Sequence, residues 1–275
     1  MHILEHTFFD ILRVIPFLFA TYLLLEWMEN HHDGKMEQFL KKHRAFGVPV
    51  GAIFGIVPEC GFSSAASSLY ATGVVSAGTL IAVYLSTSDE MLPILISANA
   101  GWDKIAPILF IKIVTALIAG YLADAFFFKK KALDIETFCE EEHCHCHKSI
   151  FKPALFHTLH ITAWLFVVTL CLNIIVHYVG TDALAAFIQG HPTQSVLCAT
   201  LIGMIPSCAS SILLSTLYLE GVIGFASVSA GLLANAGIGL MVLFRVNHNV
   251  KDSMKIVTYL WSVSFIAGLI LEFIF

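Results

Sequence analysis

Two short elements carry the residue types best suited to hold an ion. Gly55-Ile56-Val57-Pro58-Glu59-Cys60 and Gly203-Met204-Ile205-Pro206-Ser207-Cys208 share a glycine, a proline and a thiol at one spacing, 148 residues apart. Each is followed by serines: Ser63, Ser64 and Ser67 in the first, and Ser210, Ser211 and Ser215 in the second. A proline after an apolar run removes a backbone donor and breaks the helix. The break frees carbonyls for a cation and opens a new helix N-terminus for an anion. Cys60 and Cys208 supply soft ligands and Glu59 a hard one. Small residues and serines also permit close helix packing, but their symmetric placement favours a ligand role.

A second group is Ser86-Thr87-Ser88-Asp89-Glu90, ahead of Met91-Leu92-Pro93. Adjacent carboxylates inside a long apolar stretch are costly unless solvated, paired or functional. The same position in the second half reads Ala234-Asn235-Ala236-Gly237-Ile238, an amide and a glycine without charge. A binding or proton-coupling role is expected here; the other reading is an external loop between short helices. A third group is Cys139-Glu-Glu-Glu-His143-Cys144-His145-Cys146-His147. Three thiols and three imidazoles so close suit a transition metal such as Zn, Cu(I) or Cd. The group lacks a C-x-x-C spacing and has no copy in the other half. It is therefore an accessory metal-binding feature, or a linker with incidental ligands, and not the translocation site.

The elements that must position these groups are membrane helices. The 275 residues are 57% hydrophobic and 13% charged, with a mean hydropathy of +0.81. Ordinary soluble domains are about a quarter charged. The net charge of −5 offers no basic footprint for nucleic acid. Single spans are expected at about 7–28, 104–128, 153–178 and 254–275, each close to the ~20 residues a bilayer core requires. The stretches 45–100 and 195–246 are apolar but interrupted by Gly, Pro and Ser. Broken or re-entrant helices are expected there, since irregular backbone at membrane depth must be buried in protein or line a cavity.

Lys and Arg concentrate in 30–44, 129–152 and 245–255, while 180–194 has none. Cytoplasmic loops carry that excess, which sets the N-terminus outside and makes the two halves inverted. Residues 1–128 form the first repeat, 129–152 a cytoplasmic linker rich in His, Cys and Glu, and 153–275 the second, inverted repeat. The fold class is thus an all-α polytopic membrane protein of two inverted-topology repeats with broken helices, an arrangement used by secondary transporters. Further identities support the duplication: Ser63, Ser67, Tyr70 and Gly73 match Ser211, Ser215, Tyr218 and Gly221. Among lesser signals, Lys112 is either a counter-charge for Asp89 or Glu90 or a snorkelling side chain. His157 and His160 suit helix packing, Asp124 and Glu272 the membrane interface, and Glu220 a turn.

The sequence resembles the ten-helix heavy-metal exporters often labelled manganese transporters or arsenic efflux proteins. The likeness runs over nearly the whole chain. It is carried by Pro58-Glu-Cys-Gly-Phe-Ser63, Gly78-Thr-Leu-Ile-Ala-Val with Ser86-Thr-Ser-Asp-Glu90, and Leu201-Ile-Gly-Met-Ile-Pro206-Ser-Cys-Ala-Ser-Ser211. Leu217-Tyr-Leu-Glu-Gly221 and Leu243-Phe-Arg-Val-Asn247 also match. A more distant likeness is to arsenic permeases with a Cys-rich Pro motif in each half. Glu59 departs from the pattern, standing where the resemblance leads one to expect Gln.

The expected function is export of a heavy-metal cation or metalloid across the cytoplasmic membrane, proton-coupled and by alternating access. The site would draw on Glu59, Cys60, Ser63, Ser64, Ser67, Ser86, Thr87, Ser88, Asp89, Glu90, Cys208, Ser210, Ser211 and Asn235. The linker ligands Cys139, His143, Cys144, His145, Cys146 and His147 would hold a transition metal. Beyond the transported ion no cofactor is required, and the partners are the ion, protons and the bilayer, with a homodimer as a further expectation. Manganese would rely on oxygen ligands and a trivalent arsenical on thiolates. With one thiol per half near the site, the balance tilts to a divalent cation. An intramembrane enzyme is disfavoured by the lack of H-E-x-x-H or a usable Ser/His pair. A metal-sensing or structural membrane protein and a channel without proton coupling are the alternatives.

Overall fold

The computed structural model describes residues 12–23 (13 and 17 apart), 46–57, 60–88, 90–128, 151–179, 192–247 and 249–274. All regular structure among them is helical. In chain order the helices are α1 (Val14–Leu23), α2 (residues 46–54), α3 (Cys60–Ala71), α4 (Ala77–Ser86), α5 (Met91–Ser97) and α6 (Trp102–Leu122). Then follow α7 (Phe151–Val179), α8 (Pro192–Gly203), α9 (Cys208–Leu219), α10 (Phe225–Ala234), α11 (Gly239–Val246) and α12 (Val250–Ile274). A π-helical turn, Ala123–Phe127, ends α6. Among the described residues, five stretches are long and apolar enough to cross a bilayer: Ala77–Ser97, Trp102–Phe127, Ala154–Cys171, Phe225–Val246 and Val250–Ile274. The chain is an all-α, multi-pass membrane protein.

The expected spans at 104–128, 153–178 and 254–275 coincide with α6, α7 and α12; the one at 7–28 is described only in part. Helix α12 starts four residues early because Asn249 Oδ1 accepts the Asp252 amide at 3.3 Å and caps it. The stretches expected to be broken are broken. At ~1.5 Å per residue, α2, α3, α8 and α9 are each too short to cross a ~30 Å core.

The elements of 46–128 recur 148 residues later with matching contacts. Helices α3 and α9 both end in a glycine of positive φ, 76° at Gly73 and 74° at Gly221. In both ends the next amide reaches back to the helix: Val74 N–H to the Leu69 carbonyl and Val222 N–H to the Leu217 carbonyl, each at 2.9 Å. This is a Schellman cap, which requires the left-handed conformation that glycine adopts without steric cost. Close packing also recurs. A methyl group added at Gly120 would lie 2.7 Å from Val48 Cγ1, and one added at Gly268 would lie 2.7 Å from Val196 Cγ1. Small residues let α2 and α6 meet over α4, and α8 and α12 meet over α10, as membrane helices do without a hydrophobic driving force between them.

The centre is built from the broken helices. Every residue of α4 is buried, and so are nearly all of α10 and α11. Helix α4 packs against α10, α3 against α11, and α9 against α5, so each half inserts its third helix beside the other half's fifth. Helix α4 stops at Ser86, where the Thr87 hydroxyl donates back to the Val83 carbonyl at 2.7 Å; hydroxyls of this kind compete with the helical backbone. Helix α10 stops at Ala234, where Asn235 Oδ1 accepts the Gly237 amide at 2.9 Å and Gly237 takes a φ of 57°. At the opposite end of α4, Asp124 of the π-helical turn meets the first turn of the helix. Its carboxylate accepts the Gly78 amide at 2.7 Å and the Ser76 hydroxyl at 2.6 Å, so it caps the helix.

Candidate translocation site

Cys60 opens α3 and Cys208 opens α9. Cys208 sits just after Ser207, whose hydroxyl oxygen accepts the Ala209 amide at 3.1 Å and starts the helix. Neither thiol is in a disulfide, and their sulfurs are 3.6 Å apart. Cys208 is buried and Cys60 half-buried. Each thiol therefore stands in a first helical turn, at the positive end of its helix dipole.

The serines after each cysteine are arranged alike. Ser63 donates to the Cys60 carbonyl and Ser211 to the Cys208 carbonyl, each at 2.9 Å. Ser64 also donates to the Cys60 carbonyl, at 3.0 Å, and Ser210 to the Ser207 carbonyl, at 2.7 Å. All four are buried, with their protons turned to the backbone and oxygen lone pairs left over. Close approach of α11 completes this wall: a methyl group at Gly239 would lie 2.6 Å from Ser63 Cβ.

Ser67 lies one turn further and ties three helices together. Its hydroxyl is 2.7 Å from the Tyr84 hydroxyl of α4 and 2.8 Å from the Gly239 carbonyl of α11, which Tyr84 also reaches at 3.1 Å. Tyr84 was not among the residues singled out from sequence. A lone phenol in the apolar run 77–85 was the available signal, and it reads equally well as an interfacial aromatic. The counterpart of Ser67, Ser215, is buried with no hydrogen-bond partner among the described residues, because position 232 is Leu where the first half has Tyr84.

Ser86, Thr87 and Ser88 are buried at the α4–α5 break. Their hydroxyls bond backbone: Ser86 to the Ala82 carbonyl at 2.8 Å, Thr87 as above, and Ser88 to the Ser86 carbonyl at 3.3 Å. These three residues shape the break. Glu90 is half-buried directly before α5. Asn235 Oδ1 accepts the Gly237 amide within its own turn. Glu59, Asp89 and the linker group Cys139, His143, Cys144, His145, Cys146 and His147 lie outside the described residues, as does Arg13.

Lys112 does not snorkel. It is 1% exposed, and its ammonium donates at 2.7 Å to the Leu232 carbonyl in the last turn of α10. That carbonyl belongs to the negative end of a helix that stops two residues on, where a cation is stabilised. His160 is exposed on α7, with its Nε2 3.0 Å from Arg245 Nη2 of α11, in keeping with helix packing. Among the described residues no group of three or more His, Cys, Asp or Glu is placed to hold a metal ion. What the geometry offers is a two-sulfur unit, flanked by hydroxyl oxygens, at the meeting of two helix N-termini.

Neither a curated protein nor a solved structure matches the chain. The family described as "Putative, 10TM heavy-metal exporter" matches it over residues 3–168 and 126–250. With α4–α5 and α10–α11 each counted as one stretch, the described helices number five before residues 129–150 and five after them. The chain belongs to this family of ten-helix membrane proteins, whose members are described as heavy-metal exporters.

Proposed function

We propose that this protein is a secondary transporter that carries a thiophilic heavy-metal ion or metalloid out across the cytoplasmic membrane, with Cys60 and Cys208 as its paired sulfur ligands. The observation that carries this reading is the 3.6 Å between their sulfurs. Two thiolates bound at ~2.3 Å to one tetrahedral ion are about 3.8 Å apart, so little movement is needed to chelate. The same pair suits a trivalent arsenical that brings a third substituent of its own. The sequence alone tilted toward oxygen ligands because each half has a single thiol in its motif; the fold joins the two into one unit.

Alternating access follows from two halves of inverted topology. Cys60 and Cys208 are equivalent positions in contact, so an approximate two-fold axis relating the halves would run between them. Rocking one half against the other would open the pair first to the basic side and then to the opposite side. Protons are the counter-ions of this scheme, exchanged at the thiols as ligands load and leave and at Asp89 and Glu90 beside the α4–α5 break. The Cys/His linker is an accessory that gathers metal on the cytoplasmic side.

The test is flux in proteoliposomes under an imposed proton gradient, with Cd, Zn, Mn and a trivalent arsenical offered to the wild type. Export of Cd or the arsenical that falls by 100-fold or more in the Cys60→Ser/Cys208→Ser variant supports the proposal. Flux of Mn that survives loss of both thiols and is abolished by Asp89→Asn would replace it with a carboxylate site. Flux of none of the four would remove the exporter reading.

A further inference from the structure

We propose that the groove between α6 and α12 binds an anionic phospholipid, its acyl chains against the apolar walls and its phosphate between Lys251 and Lys255. The groove has a volume of about 920 Å³, at the upper end of the range of small-molecule sites. One wall is Leu122, Phe127 and Phe128 at the π-helical end of α6; the other is the exposed stripe of α12 that includes Met254 and Ile266. Its floor is fixed. The Tyr259 hydroxyl donates to the Ala119 carbonyl at 2.9 Å, and its ring contacts those of Phe127 and Phe128 with centroids 4.9 and 5.9 Å away.

Charge selects the occupant. Lys251 and Lys255 are one turn apart at the mouth, both exposed, and long lysine stems can lie on the apolar wall while the ammoniums reach a headgroup. The acid between them, Asp252, is turned away: its carboxylate accepts the Tyr70 hydroxyl at 2.7 Å and the Asn247 amide at 3.1 Å. The chain also leaves Phe128 directly into Lys129-Lys130-Lys131, on the side of the membrane where anionic lipid attracts basic segments. The basic pair is not a by-product of duplication, because the equivalent positions in α6 are Asp103 and Pro107. A bilayer supplies such a ligand at high local concentration.

The test uses the purified full chain in detergent, titrated with phosphatidylglycerol and with phosphatidylcholine and read by native mass spectrometry. Three variants accompany the wild type: Lys251→Gln/Lys255→Gln, the groove-filling Thr258→Trp, and Lys104→Gln as a remote exposed control. Melting midpoints confirm that each is folded. The expected result is retention of phosphatidylglycerol over phosphatidylcholine, weakened about 5-fold for each of the two lysines removed. Thr258→Trp should weaken both lipids and Lys104→Gln neither. Equal retention of the two lipids, or equal loss in the control and the double variant, would overturn the proposal. So would a dimer that Thr258→Trp converts to monomer without altering lipid retention, since a second copy of the chain would then fill the groove.

Discussion

The Lys112 ammonium lies 2.7 Å from the carbonyl oxygen of Leu232, joining the middle of α6 in one half to the broken end of α10 in the other. A buried cation is costly unless it is hydrogen-bonded and offset by negative charge. Here the C-terminal end of α10 provides part of that offset. The bond ties α6 to the last turn of α10, just before the Asn235–Gly237 turn.

Replacing Lys112 by Met keeps the volume and removes the donor. The buried Leu232 carbonyl then loses this partner, at a cost of about 1–3 kcal/mol. A lower melting midpoint in detergent, together with slower flux, is the expected outcome. Unchanged stability would mean that the Leu232 carbonyl finds another donor without cost.

Tyr84→Phe removes the hydroxyl that meets both Ser67 and the Gly239 carbonyl. Tyr84→Phe and Ser67→Ala should each cost about 1 kcal/mol, and the double variant less than the sum, because they share one network. Denaturation of all three variants in mixed micelles checks the coupling; full additivity would mean that the two hydroxyls act independently.

Gly239→Ala places a methyl group against Ser63, beside the residues that follow Cys60. Helix α11 must then move away from α3. We expect lower flux and a changed yield of Cys60–Cys208 cross-link under mild copper-catalysed air oxidation, in a protein that still inserts into the membrane. Wild-type cross-linking and flux would show that this close approach is dispensable.

Gly221→Ala tests the backbone alone. At φ 74° a side chain is strained, yet nothing lies within 4 Å of the added methyl group. The cost should be the conformational term alone, about 1 kcal/mol. Gly73→Ala, with the same cap, should cost about as much if the two helix ends carry equal load. Thermal melts of both variants decide this.

Removing the thiols of Cys139, Cys144 and Cys146 together should abolish tight Zn or Cd binding by the linker, read by equilibrium dialysis. Maximal flux at saturating ion should be unchanged, while the concentration for half-maximal flux rises. Loss of maximal flux would place these ligands in the transport path.

Composition and spacing alone determined the membrane class, the duplication and the breaks. A bilayer core needs ~20 apolar residues per span, so the stretches that became α6, α7 and α12 were legible, and so were the interruptions at Gly, Pro, Ser and Asn that end α2, α4, α8 and α10. The repeat predicted which residues are equivalent, including Gly73 with Gly221 and Cys60 with Cys208. It did not show that Cys60 and Cys208 meet, because equivalence along a chain says nothing about contact; only the packing of α3 and α9 brought their sulfurs to 3.6 Å. The direction of Lys112 was equally open, since a long side chain nine residues into a span can reach water or turn inward. Tyr84 was hidden among apolar neighbours until α3 and α11 set Ser67 and the Gly239 carbonyl against it. The sequence placed Asp124 near a span end but could not show that it lies under the first turn of α4. Local pattern fixes where helices begin and break; which polar groups then face one another depends on how distant helices cross, and tertiary structure alone decides that.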